Sequence, residues 1–249
     1  ITSFKRRDLI EQRVNFIVPG MQLYLPLAAI DLRETYKKAG MSDIQSLSAT
    51  AQSVVLMHLY GQIGSDLLSK QVMDLLGVSK INVSRAFNEL ISLKLADAKK
   101  VGRNKVLNFY LDKTELWKKA QPHFINPVKK RVWVDNQQLK NIQEIKLIKS
   151  GESALSEYSM IISPQTPTYA LNSKEWSTIK RLFHIHESFK HDEAIEVELW
   201  RYEPSILSNN KIVDPLSLVL SLDTDDERIE IVKDEILEEV RSKYQWYKD

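Results

Sequence analysis

No cysteine occurs among the 249 residues. That removes disulfides, thiolate metal centres and a cysteine nucleophile together, and it suits a reducing compartment such as the cytoplasm. Glycine is scarce, with 7 residues in all, and neither a Walker-type nor a GxGxxG phosphate loop is present. No apolar run approaches the roughly 18 residues that mark a membrane span, so no membrane partner is expected. Ser153 and Ser156 lack the GxSxG elbow of an esterase nucleophile. The acidic stretch at 223–227 lacks the central glycine and terminal glutamate of a calcium loop. These absences leave no catalytic residue, no cofactor and no argument for an enzyme. The chain opens at Ile1 rather than Met, which is compatible with a processed end.

What is present is globular in kind. Hydrophobic residues make up 43% and charged residues 27% of the chain, and the length allows one large domain or two ordinary ones. The net charge of +2 hides a polarity. Residues 47–135 hold 14 Lys and Arg against 7 Asp and Glu, a net of +7, whereas residues 192–249 hold 7 against 16, a net of −9. A basic centre suits a surface that meets phosphates. The acidic end could meet a basic partner, or could be a solvated face.

The segment 48–112 carries the most information. Residues 51–60 form a helical pattern whose dominant face is Val55 and Leu59, with Ile63 beyond it. Ser69 stands where an N-cap belongs, and Val72, Leu75 and Leu76 follow at helical spacing. Gly77 can take the positive φ that closes a helix, and Ser79 can cap the next one two residues later. In that second helix, 79–93, Val83, Phe87, Leu90 and Ile91 share an inward face. Lys80, Asn82, Ser84, Arg85 and Asn88 fall on the other side. Residues 96–100 and 105–111 alternate as a hairpin around a turn at 101–104, with Lys99, Lys100, Arg103, Asn104 and Lys105 crowding the tip.

Helix, tight turn, helix and basic hairpin together read as a winged helix-turn-helix. Arg pairs bidentately with guanine and Asn with adenine, while Lys and Ser hold phosphates or base edges. Arg85, Asn82 and Asn88 are therefore expected to read bases. Ser79, Lys80, Ser84 and the hairpin residues Lys99, Lys100, Arg103, Asn104 and Lys105 are expected to hold the duplex. The same fold also serves as a protein-binding or purely structural module. This quarter of the chain resembles the MarR-type regulators, a likeness that implies DNA binding but no particular operator or inducer.

Beyond it the text is mixed. In 1–46, the stretch 13–25 reads as a hairpin around Pro19-Gly20, and Pro26 could open a helix over 27–38 closed by Gly40. Such an extension could touch a second subunit or simply pack. Residues 113–121 read as a helix holding Trp117, and a domain boundary is expected within 120–136. Strands are expected at 128–134, 168–171 and 194–202. Helices are expected at 138–149, from 151, after a Ser173 cap and holding Trp176, Ile179 and Leu182, at 216–222 and at 227–244. Trp133, Trp176 and Trp200 read as core or interface residues.

The elements GESALSEYSMI, VELWRYEP and VDPLSLVLSL, spread over 130–222, resemble abortive-infection-type antitoxins. That likeness implies a protein that represses its own operon and is paired with a nucleotidyltransferase-like toxin. The long stretch before the winged helix departs from that pattern. His184, His186 and His191, beside Glu187 and Asp192, are the one metal-like cluster, but no third ligand stands at a diagnostic spacing. No metal is expected.

The expectation is thus an α+β protein in three parts. Residues 1–46 form a strand-helix extension, 47–121 a winged helix-turn-helix domain, and 122–249 a mixed α+β domain for a ligand or partner. Its function would be sequence-specific recognition of double-stranded DNA by a homodimeric regulator, most simply a repressor, because one winged helix reads only a half-site. The alternative is an antitoxin or interaction module that neutralises a protein partner through the acidic end.

Overall fold

A computed structural model describes residues 9–18, 22–26, 30–33, 46–101, 104–140, 142, 145–191, 193–208, 210–222 and 226–246. Helices and several separate sheets are mixed along the chain, an α+β composition. The chain divides into two units, Ile1–Asp43 and Ile44–Asp249. No helix of the described residues is long and apolar enough to cross a membrane.

The first unit is a three-stranded antiparallel sheet: β1 (Phe16–Val18), β2 (Gln22–Leu25) and β3 (Ile30–Arg33). Phe16 lies opposite Tyr24, and Tyr24 in turn opposite Asp31. The expected hairpin is present, although its Pro19-Gly20 turn lies outside the described residues. The expected helix over 27–38 is not what Ile30–Arg33 form. The alternation Ile30-Asp31-Leu32-Arg33 has the two-residue period of a strand, and pairing with β2 satisfies its backbone groups. The rest of 27–38 lies outside the described residues.

The second unit begins with α1 (Ala49–Leu59), in which every residue from Ala51 to Leu59 is buried. A helix enclosed on all sides belongs at the centre of a domain. Around it run β4 (Asp66–Leu68), α2 (Ser69–Leu76), α3 (Lys80–Ser92), β5 (Asp97–Val101), β6 (Asn104–Asn108) and α4 (Lys113–Ala120). Strands β4, β6 and β5 form a sheet in that order. A 3-10 turn at Gln121–His123 then leads to β7 (Val128–Asp135). Next come α5 (Asn136–Lys140), β8 (Ile148–Lys149), α6 (Gly151–Tyr158), β9 (Thr168–Asn172) and α7 (Ser173–Leu182). The chain continues through β10 (Glu187–Ser188), β11 (Ala194–Trp200), α8 (Pro215–Ser221) and α9 (Glu227–Lys243).

The large sheet has the order β10-β7-β11-β9-β8. Only β11 and β9 run parallel. One face of this sheet covers a core of Val132, Val134, Leu171, Trp176, Ile179, Ile195 and Val197. The principal core is larger and runs from Leu47 to Trp246, taking in α1, α3, α4, α8 and α9 together. The join expected within 120–136 therefore lies inside one body. Side chain and backbone cross it repeatedly: Gln52 exchanges both hydrogen bonds of its amide with the backbone of Ile125, at 3.0 and 2.7 Å. Trp246, 2% exposed, donates its indole N–H to the Leu59 carbonyl at 3.1 Å.

Two local expectations change. The helix expected at 138–149 shrinks to α5, from which Leu139 enters the smaller core; Ile142 joins it from beyond the helix end, and Ile148 enters the principal core from strand β8. The apolar stripe is real, but a short helix, a turn and a strand divide it between two cores. The cap of α7 is Asn172, whose Oδ1 accepts the Lys174 N–H at 2.9 Å, so Ser173 is the first helical residue. Of the apolar residues in that helix, Trp176 and Ile179 are buried, and Leu182 is 62% exposed at its end.

Candidate nucleic-acid interface

The residues between α2 and α3 set the geometry of the candidate surface. Ser69 is not the cap of α2 but its first residue. The preceding Leu68 ends strand β4, and its N–H is taken by the Gln71 side chain at 2.8 Å. At the other end Gly77 has φ 60° and donates to the Met73 carbonyl. A Cβ there would meet nothing within 4 Å, so the glycine answers to the left-handed backbone and not to space. Ser79 caps α3 with extended backbone, its Oγ accepting the Asn82 N–H at 3.3 Å. The two helices are thus joined by a turn with both ends capped.

Rotation of α3 about its axis is fixed from inside. Val83, Ala86, Phe87 and Leu90 are each 2% exposed or less, at the i, i+3, i+4, i+7 spacing of one helix face. Glu89 reaches back to the start of α1 and accepts the Ser48 N–H at 2.9 Å. With that face locked, Ser79, Lys80, Asn82, Ser84, Arg85 and Asn88 are all exposed. The 13 residues of α3 span about 20 Å. Ile81, 64% exposed, stands among them. A search for polar side chains passes over it, although the 100° step of the helix places it with Ser84, Arg85 and Asn88.

The hairpin beside α3 is built by β5 and β6, with Lys99 opposite Val106, Lys100 opposite Lys105 and Val101 opposite Asn104. Both strands are shifted slightly from expectation: β5 begins at Asp97 and β6 ends at Asn108. Lys99 and Lys100 are exposed. The Lys99 ammonium lies 3.6 Å from Asp66 across the sheet, and the Asn108 amide donates to that same carboxylate at 2.6 Å. Arg103 lies outside the described residues. Asn104 and Lys105 are placed by their backbone in β6.

A groove of about 810 Å³ runs along one side of α3, with Asn82, Arg85 and Glu89 on one wall and Lys174, Arg201 and Glu203 on the other. Lys174 and Arg201 are exposed, and Arg201 donates through Nε to the Asn126 carbonyl at 3.2 Å. The polar residues of α3 are exposed, and two further cations, from α7 and the end of β11, line the same groove as Asn82 and Arg85. No periodicity could have announced Lys174 or Arg201, since each comes from a part of the chain more than eighty residues beyond Arg85.

The other clusters singled out in the sequence resolve into local roles. Glu187 is held by Lys130 and Lys180 at 2.8 and 2.7 Å, and those hydrogen bonds draw its carboxyl down to about 2. His184, His186 and His191 are exposed, and Asp192 lies outside the described residues. Among the described residues no group of His, Cys, Asp or Glu is placed to hold a metal ion. Glu198 is buried between Arg131, which donates twice to Oε1 at 3.1 and 3.2 Å, and the Trp200 indole N–H at 3.2 Å. Burial pushes its carboxyl above the usual range, with Arg131 opposing. Trp176 and Trp200 are core residues, and Trp133 is half-buried with the Lys190 ammonium 5.4 Å from its ring centre. No family model, no curated protein and no solved structure matches the chain.

Proposed function

We propose that residues 48–112 are a winged helix-turn-helix and that the chain is a sequence-specific DNA-binding regulator, acting as a repressor and as a homodimer. The observation that carries this reading is the exposure of the whole polar side of α3, opposite a buried stripe that fixes its orientation. Arg85, Asn82 and Asn88 carry the groups that pair with base edges. Lys80, Ser84, Lys99, Lys100, Arg103 and Lys105 supply the donors that bind phosphates. The order helix, strand, helix, helix, hairpin in α1 to β6 is the layout in which a second helix enters the major groove beside a wing. No cofactor or catalytic group is invoked.

The test is selection of duplexes from a random library, followed by titration of the selected site and a scrambled one at several salt concentrations. Retention of a consensus with two related half-sites supports the reading. Equal, weak binding to every duplex removes it.

A second reading has its own observation. Helix α9 exposes Glu227, Glu230, Asp234, Glu235 and Glu239, an acidic surface suited to a basic protein, as in an antitoxin that neutralises a toxin and represses its own operon. A basic protein that co-purifies from the native host, and that is lost when Asp234, Glu235 and Glu239 are changed to lysine, supports it. Co-purification unaffected by those changes does not.

A further inference from the structure

We propose that Ile81 reads the C5 methyl group of a thymine, making it a specificity residue of the DNA-binding face; this rests on the reading of the chain as a DNA-binding regulator. The inward stripe of α3 is Val83, Ala86, Phe87 and Leu90. At 100° per residue the stripe most nearly opposite is Ile81, Ser84, Arg85 and Asn88, and all four are exposed. Ile81 is in the middle of this exposed side, one turn before Arg85.

An isolated apolar residue on a surface is ordinary. This one is distinguished by where it stands. The other large apolar residues of α3, namely Val83, Phe87, Leu90 and Ile91, are buried or half-buried, and every residue flanking Ile81 on the outward side is polar. A β-branched side chain is also a poorer helix former than the Lys, Arg or Gln that an exposed position accepts. Covering Ile81 when the helix is in use removes the cost of its exposure and offsets the helix cost.

The major groove offers one apolar feature, the thymine methyl, among hydrogen-bonding groups. A helix that enters with its N-terminal residues toward the base edges brings Ile81, the second residue of α3, against that feature. Lys80 is placed beside it for a phosphate and Arg85 for the neighbouring purine.

The experiment uses the full chain. Duplexes are selected from a random library with the wild type and with Ile81→Ala, and each thymine of the wild-type consensus is then replaced singly by uracil, which lacks only the methyl. One replacement per half-site should weaken the wild type on the order of fourfold, the transfer free energy of a methyl-sized group. Ile81→Ala should bind thymine and uracil duplexes alike and select no thymine at that position. Wild-type affinity that is unchanged by every uracil replacement overturns the proposal and needs no variant to be folded. So does an Ile81→Ala protein that still discriminates the methyl. Failure of the wild type to select any duplex is a different result, which removes the DNA-binding reading itself.

Discussion

The hydroxyl of Tyr60 donates to Oδ1 of Asp214 at 2.8 Å and at the same time accepts the Leu216 N–H at 2.9 Å. Asp214 also accepts the Ser217 N–H at 2.9 Å as the N-cap of α8. The C-cap residue of α1 thus completes the cap of a helix 154 residues further along. Both groups are buried, so neither has water to fall back on.

Tyr60→Phe should lower the free energy of unfolding by about 1–3 kcal/mol, because it leaves a buried carboxyl and a backbone N–H short of a partner. Asp214→Ala should cost roughly 2–4 kcal/mol, the missing cap added to the orphaned hydroxyl. Asp214→Asn keeps an acceptor in the same place and should cost much less. Urea denaturation of the three variants separates these outcomes; equal midpoints for Asn and Ala would mean that the cap is idle.

Burial raises the carboxyl of Asp214 above the usual range, against hydrogen bonds that favour its ionised form. A folded-state value above the unfolded one means stability is present at low pH and declines as pH rises through the folded value. Glu198 acts in the same direction. Glu187, drawn down to about 2, acts oppositely: its contribution is present above the unfolded carboxylate range and is lost as pH falls from about 4.5 toward 2. Comparison of wild type and Asp214→Asn between mildly acidic and neutral pH should show a flatter dependence for the variant. Parallel curves would remove Asp214 as a source of the slope.

Arg85→Ala should cost about 1–3 kcal/mol at a selected duplex and relax the preference for guanine at one position of each half-site. Its exposure predicts an unfolding midpoint close to wild type. Wild-type affinity at the selected site would take Arg85 out of the interface.

Lys99→Ala with Lys100→Ala should weaken binding to all duplexes alike. Removal of each lysine–phosphate interaction should flatten the slope of log K against log salt by roughly 0.9. Lys99 already shares its charge with Asp66, so Lys100 alone should account for the greater part. A slope that does not change places the hairpin away from the backbone.

Much of the candidate surface is legible in the sequence because its signals are local. Gly77, Ser79 and the inward stripe from Val83 to Leu90 act within a few residues of themselves, and each does as its chemistry requires. Ser69 departs from its expected role because strand β4 delivers the chain straight into α2, leaving Gln71 to satisfy the Leu68 N–H. The helix expected at 138–149 fails for a tertiary reason: Leu139 and Ile142 pack in the core against the large sheet, while Ile148 is one of its strand residues, and the other strands come from four other parts of the sequence. The groove wall of Lys174 and Arg201 is invisible in the sequence for the same reason. Most telling is α1. Its sequence reads as a helix with one dominant face of Val55 and Leu59, whereas every residue from Ala51 to Leu59 is buried, because the far end of the chain does part of the burying.

That enclosure has a practical corollary. A fragment trimmed to residues 47–121 would present to solvent the flank of α1 against which Trp246, Ile125 and the α8 region lie, and would tend to clump instead of behaving as a free-standing probe. Grafts and truncations that aim to borrow α3 must carry the distal tryptophan along with it.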